Sequence, residues 1–178
     1  MSTKIKIIKG DITKMKVDAV INGANRDLIS GGGVFEAIHK AAGPELLKKC
    51  KEMGMCHTGE IKVSSAYQLP AKHIIHTVCP IYGSENGLED EMLLSCYERS
   101  LASSAKRGFK TIAFPNLSTG NYRYPKDEAL EIALNAIKNY IHNNPDSSLE
   151  EIYIVLFTED DFNLALKVAR ELKVEIER

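Results

Sequence analysis

Asn22-Gly23-Ala24-Asn25, followed six residues after Asn25 by Gly31-Gly32-Gly33-Val34, sets two carboxamides beside a triple glycine. The run follows the apolar stretch Val17-Asp18-Ala19-Val20-Ile21 directly and leads into a helical pattern. Carboxamides can both donate to and accept from sugar hydroxyls. Glycines let the main chain approach a ligand without Cβ interference and permit positive φ. The first N–H groups of a helix bind anions, helped by the helix dipole. A strand end equipped in this way suits a phosphorylated sugar. Three glycines before a helix are also a common flexible turn, so the fragment alone leaves both readings open.

The elements around the fragment favour a ligand. Strands are expected at Lys4 to Ile8, Val17 to Ile21, Ile61 to Ser65, His73 to Val78, Thr111 to Phe114 and Glu151 to Phe157. Helical stripes run through Val34, Ala37, Ile38 and Ala41, closing near Gly43-Pro44, and through Leu94, Tyr97, Leu101 and Ala105. Two more run through Ala129, Ile132, Ala133, Ala136, Ile137 and Tyr140, and through Phe162, Ala165, Leu166, Ala169 and Leu172. Strands alternating with helices imply an α/β layered fold with a largely parallel sheet. In such sheets ligands sit beyond the carboxyl ends of the strands. Four polar or glycine-rich segments follow expected strands: Gly10-Asp11-Ile12, Asn22 to Gly33, Ser118 to Tyr122, and the region after Phe157. If those strands are parallel, all four segments meet on one rim.

Composition narrows the partners. The 178 residues are 44% hydrophobic and carry 23 basic and 24 acidic side chains, for a net charge of −1. One domain covering the chain is expected. Interspersed charge argues against a nucleic-acid or membrane-surface binder, which would show a basic stripe. An anionic ligand would have to be held by backbone donors. The N-terminus lacks the apolar core of a signal peptide, and no run approaches the roughly 18 apolar residues of a membrane span. The four cysteines, Cys50, Cys56, Cys79 and Cys96, form no C-x-x-C pair, consistent with reduced thiols in the cytoplasm. Cys56-His57 has no second pair at ligand spacing, so no metal site is expected.

At this point the residues resemble a macrodomain, and within that family they are most similar to the MacroD-type ADP-ribosyl hydrolases. The resemblance runs through Gly10-Asp11-Ile12-Thr13, Asp18 to Asn25, Gly31 to Val34, Ala37 to Leu46, Thr58-Gly59, Leu69-Pro70-Ala71, Ile75 to Val78, Pro115 and Ser118-Thr119-Gly120. It implies a three-layer α/β/α sandwich around a mixed, mostly parallel sheet, with an ADP-ribose cleft and no cofactor. Asp11 would accept from the adenine amino group, with the Ile12 backbone nearby. Phe157 would stack on the purine face, or it is ordinary core. Gly32, Gly33 and Val34 would face the diphosphate from one side, and Ser118, Thr119, Gly120, Asn121 and Tyr122 would close over it from the other. Asn25 would bind the distal ribose. The catalytic residues carried over by the resemblance are Asn25, Asn22 and His39.

Two departures stand out. Relatives read Val-Asp-Gly after the glycines, and the aspartate is assigned a catalytic role with a bound water. Here the positions are Val34-Phe35-Glu36. Phenylalanine can neither accept a proton nor hold a water, and losing a positioned acid–base group typically costs about 10²–10⁴-fold in rate. Glu36 lies about 100° further round the helix and should point elsewhere. Phe35 and His39, four apart, should share the face toward the distal ribose. Some active macrodomains, notably viral ones, also lack this aspartate and rely on the Asn, the glycine loop and substrate-assisted water activation. In the second loop, Arg123 replaces a glycine; it either clamps a phosphate or substrate carboxylate, or faces solvent.

Two functions remain. The first is hydrolysis of the C1″ ester of ADP-ribose on acidic side chains, reversing mono-ADP-ribosylation, or on O-acetyl-ADP-ribose. The second is a binding module that reads ADP-ribose or an ADP-ribosylated protein without turning it over, as Phe35 suggests.

Overall fold

The structure, a computed structural model, describes residues 2–177. Among them six strands form one sheet: β1 (Lys4–Lys9), β2 (Ala19–Ala24), β3 (Ile61–Ser65), β4 (His73–Val78), β5 (Thr111–Phe114) and β6 (Glu151–Leu156). Their order is β1-β6-β5-β2-β4-β3. All neighbours are parallel except β3, which runs antiparallel to β4 at one edge. Five helices accompany them: α1 (Gly33–Ala42), α2 (Pro44–Met53), α3 (Glu89–Lys106), α4 (Lys126–Asn143) and α5 (Glu159–Glu171).

The period of two along each strand divides the core. Val20, Ala24, Ile74, Val78, Ala113 and Val155 pack under α1 and α2 with Phe35, Ile38, Leu46 and Cys50. The alternate residues, among them Ala19, Ile21, Ile75, Ile112, Phe114 and Ile154, pack under α3, α4 and α5. The result is the three-layer α/β/α sandwich with a mixed, mostly parallel sheet.

Three features differ from the sequence expectation. The second strand is shifted toward Ala24, so Asn22 lies inside the sheet, opposite His76 of β4, and not at its end. Asp18 stands just before the strand: its N–H donates to Thr111 O (3.0 Å), its O accepts from His73 N–H (2.9 Å), and its carboxylate accepts the N–H groups of Lys110 (2.7 Å) and Thr111 (3.2 Å). Helix α2 was not expected, because Gly43-Pro44 reads as a terminus. Gly43 (φ +90°) ends α1 through its N–H to His39 O (3.2 Å), and Pro44 then starts α2. Proline suits a first helical turn, where its missing N–H has no partner to lose.

The buried stripes are also rotated. In α1 the buried residues are Phe35, Ile38 and Ala42, while Val34 is 38% exposed and Ala37 is exposed. The larger apolar side chain takes the core. In α3 the buried face is Leu93, Cys96, Tyr97, Ser100, Leu101 and Ser104, with Leu94 outside. Ser100 and Ser104 are tolerated there because each hydroxyl donates 2.7 Å to the carbonyl four residues back.

Candidate functional site: a cleft at the strand ends

Because β1, β6, β5, β2 and β4 are parallel, their carboxyl ends form one rim. A cleft opens there between the start of α1 and the loop after β5. It is lined by Gly32, Gly33, Val34 and Phe35 on one side and by Ser118, Thr119, Gly120, Asn121 and Tyr122 on the other. All nine are residues that the resemblance places at the ligand. The two straps face each other closely: a Cβ added at Gly32 would sit 3.6 Å from Asn121 Nδ2. Cβ atoms added at Gly33 or Gly120 would meet nothing within 4 Å, since both face open space. Gly32 caps α1 without any side-chain hydrogen bond, so the first N–H groups of this ten-residue helix point at the cleft unsatisfied by a cap. Ser118 adopts φ +68° and its buried Oγ has no partner. A non-glycine residue in this region stores strain, a feature that clusters in ligand-holding loops.

A second pocket adjoins the first, sharing Cys79 and Tyr122, and contains Asn25. Asn25 Nδ2 donates to Ser30 Oγ at 2.8 Å, and Ser30 Oγ lies 3.0 Å from both carboxylate oxygens of Asp27. Burial, with the neighbouring Cys79, Asp27 and Glu85, pushes the Tyr122 phenol up to about 12. Tyr122 therefore presents a neutral phenol where the two pockets meet.

Asp11 and Phe157 sit at the other end of the rim. Gly10 N–H donates to Leu156 O (2.9 Å), which sets the ends of β1 and β6 side by side. Asp11 Oδ1 accepts from Thr13 Oγ1 (2.7 Å) and Thr13 N (2.9 Å). The Thr13 hydroxyl chiefly, and its N–H, hold the Asp11 carboxylate below the usual range against a smaller opposing effect of burial. Phe157, just past β6, is 77% exposed. It is not core; it is a bare aromatic face beside a fixed carboxylate. Ile12 is buried against the α1 layer.

Asn22 and His39 lie behind the cleft wall. Asn22 is fully buried, its Nδ2 donating to His76 Nδ1 at 3.2 Å, and His76 Nε2 lies 2.9 Å from Ser64 Oγ. Ser64 Oγ donates in turn to Ser65 O (2.9 Å). The chain has one direction, so His76 carries its proton on Nε2. Burial, and then the nearby His39, push His76 down to about 3. Burial also lowers His39, whose Nε2 has no partner, nor does Asn22 Oδ1. Phe35 is 6% exposed and stacks on His39, with ring centroids 4.0 Å apart and planes 24° from parallel. It both lines the cleft and belongs to the core. Glu36 is exposed, as is Arg123, which takes φ +59° and lines neither pocket.

Sequence reasoning overlooked the segment after β4. Cys79 touches both pockets, and Ile81, Ser84 and Glu85 line the second. The signal was available: a strand parallel to β2 must end on the same rim. Asp27 and Ser30 were also passed over, hidden between the two motifs they join. Among the described residues no group of three metal-ligating side chains occurs, and no helix is long and apolar enough to cross a membrane.

Comparison with known proteins agrees with this geometry. The Macro domain family model matches residues 21–133. A macro domain-containing protein of Methanosarcina mazei is 49% identical over 88% of this chain and 83% of its own length. The ADP-ribose glycohydrolase MACROD2 of Xenopus laevis is 43% identical over 90% of this chain, which spans only 38% of that enzyme. The Oceanobacillus iheyensis macrodomain with ADP superposes with a TM-score of 0.92 at 39% identity, covering 97% of this chain and 93% of that one. The Trypanosoma brucei macrodomain in complex with ADP-ribose gives 0.86 at 36% identity, covering 92% and 68%. With a rim of parallel strand ends, two opposed glycine-bearing straps and these relatives, the chain belongs to the macrodomain family.

Proposed function

We propose that the chain, as one macrodomain, binds ADP-ribose along the rim and hydrolyses its C1″ ester on modified acidic side chains or on O-acetyl-ADP-ribose. The observation that carries this reading is that the two pockets adjoin at the strand ends. The straps, Gly32 to Phe35 and Ser118 to Tyr122, line a cleft that shares Cys79 and Tyr122 with the pocket holding Asn25. Adenine would lie on Phe157 with its amino group toward Asp11, whose second carboxylate oxygen has no protein donor among the described residues. The diphosphate would take the N–H groups at the start of α1. Asn25 would orient the distal ribose, and water would attack there while both straps hold the substrate. Asn22 and His39 would act through the wall, keeping β2 and α1 in place behind Phe35.

A reader module is the second reading, and Phe35 favours it. The ring stands where MacroD-type relatives place a carboxylate, and it holds no proton. Release of ADP-ribose from a protein modified on acidic residues, with binding measured in parallel, separates the two. Turnover supports the hydrolase; binding without turnover supports the reader.

A further inference from the structure

We propose that Asp27 and Ser30 fix the polarity of the Asn25 carboxamide and thereby make the second pocket selective for a hydroxyl-bearing end group over an anionic one. The inference rests on the proposed nucleotide cleft and adds its specificity. An ionised carboxylate can only accept hydrogen bonds. With Ser30 Oγ 3.0 Å from both oxygens of Asp27, the single Ser30 proton is committed to that carboxylate. Ser30 Oγ then has only lone pairs to offer Asn25. The group facing it at 2.8 Å must be the Asn25 amide nitrogen, whichever way the carboxamide is first assigned. Asn25 Oδ1 then accepts no hydrogen bond from the described residues and is not among the buried unpaired oxygens.

The turn that builds the relay is itself determined. Asn25 N–H donates to Ser30 O (2.9 Å), Leu28 N–H to Asn25 O (2.9 Å), and Ile29 N–H to Asp27 Oδ1 (3.0 Å). Leu28, fully buried at φ +62°, pins its centre. The pocket around Asn25 carries two carboxylates, Asp27 and Glu85, against one guanidinium, Arg26. That guanidinium is turned to Thr58 Oγ1 (3.0 Å from Nε) and lies 4.0 Å from Glu85. An exposed carbonyl oxygen among net negative charge welcomes a donor such as a sugar hydroxyl. It repels a terminal phosphate.

Asp27→Asn tests the relay without dismantling the turn, because the new side chain still offers an oxygen to Ile29 N–H. Its amide would donate to Ser30, freeing the Ser30 proton for Asn25 and reversing the carboxamide. Calorimetric affinities for ADP-ribose, ADP and ATP supply the readout, with melting temperature as a check on folding. The wild type should prefer ADP-ribose to ADP and ADP to ATP. Asp27→Asn should shrink the preference for ADP-ribose over ATP about tenfold while leaving ADP unchanged. Ser30→Ala keeps the Asp27 charge and should cut the preference for ADP-ribose over ADP about fivefold, and Ser30→Thr should restore it. Wild-type ratios in both Asp27→Asn and Ser30→Ala would overturn the inference while leaving nucleotide binding intact. A change in Asp27→Asn alone would reduce the effect to bare charge and equally overturn the relay. A wild type that binds none of the three nucleotides would overturn the proposed function itself.

Discussion

The rings of Phe35 and His39 stack one helical turn apart, centroids 4.0 Å from each other, on the buried face of α1. The stack explains how an aromatic residue is accommodated at a position that lines the cleft. Gly31 completes the arrangement, since a Cβ there would lie 2.7 Å from Phe35 Cβ and Cγ. The ring is wedged between a bare backbone and a neutral imidazole. It shapes the wall and cannot activate water.

Replacing Phe35 with aspartate, together with Glu36→Gly to make room, should therefore have two opposite effects. Loss of the buried ring should cost about 3–5 kcal/mol and lower the melting temperature. The folded fraction should turn over faster if a positioned base is what the natural site lacks. Turnover per folded molecule, measured beside melting temperature, checks this. A folded variant with no gain in rate would favour the reader module.

Gly31→Ala should be destabilising by about 1–3 kcal/mol through overpacking against Phe35. The penalty should shrink in a Phe35→Leu background, because the contact lies on the ring and its first carbons. Urea melts of the two single variants and the double variant give the coupling directly. Additive effects would mean that the glycine serves the turn and not the ring.

How much of this was legible beforehand depended on whether local pattern or tertiary competition decides a position. The edge strand β3 and the core strand β4 fall where alternation places them, and the straps at Gly32 to Phe35 and Ser118 to Tyr122 line the cleft that their glycines suggest. Phe157 was open to two readings, because an aromatic at a strand end looks identical whether it points in or out. Helix α2 escaped notice because Gly43-Pro44 can end one helix or join two. Asn22 reads as a site residue by its position in a motif, yet its side chain faces α1 because β2 extends to Ala24. Asp27 and Ser30 could not be found by spacing, since their value lies in the proton direction that they impose on Asn25.

Acid should destabilise the protein in a window set by the buried His76 and the half-buried His39. His76 is held at about 3 in the fold against an ordinary value of 6.5, and His39 is also lowered. Between those two values the unfolded chain binds more protons, so stability is full above about pH 6.5 and falls toward pH 3. One such group contributes up to about 1.4 kcal/mol per pH unit within the window. Urea midpoints at pH 7.5, 6 and 5 should fall steadily, and His76→Gln should flatten the slope. An unchanged slope in that variant would place the acid sensitivity elsewhere.

Asn25→Ala should abolish turnover while leaving the adenine end of the cleft unaltered. In the proposed function the carboxamide orients the reacting sugar, and misplacement there can cost about 10²-fold or more. ADP, which has no distal ribose, should bind the variant as it binds the natural protein. Wild-type turnover in Asn25→Ala would remove this residue from the reaction.

Calorimetric titration with ADP-ribose, beside free adenine, tests the nucleotide cleft most directly. One site per chain is expected, with adenine far weaker because the straps on the diphosphate carry the orientation. Millimolar ADP-ribose that produces neither heat nor a thermal shift would contradict the account.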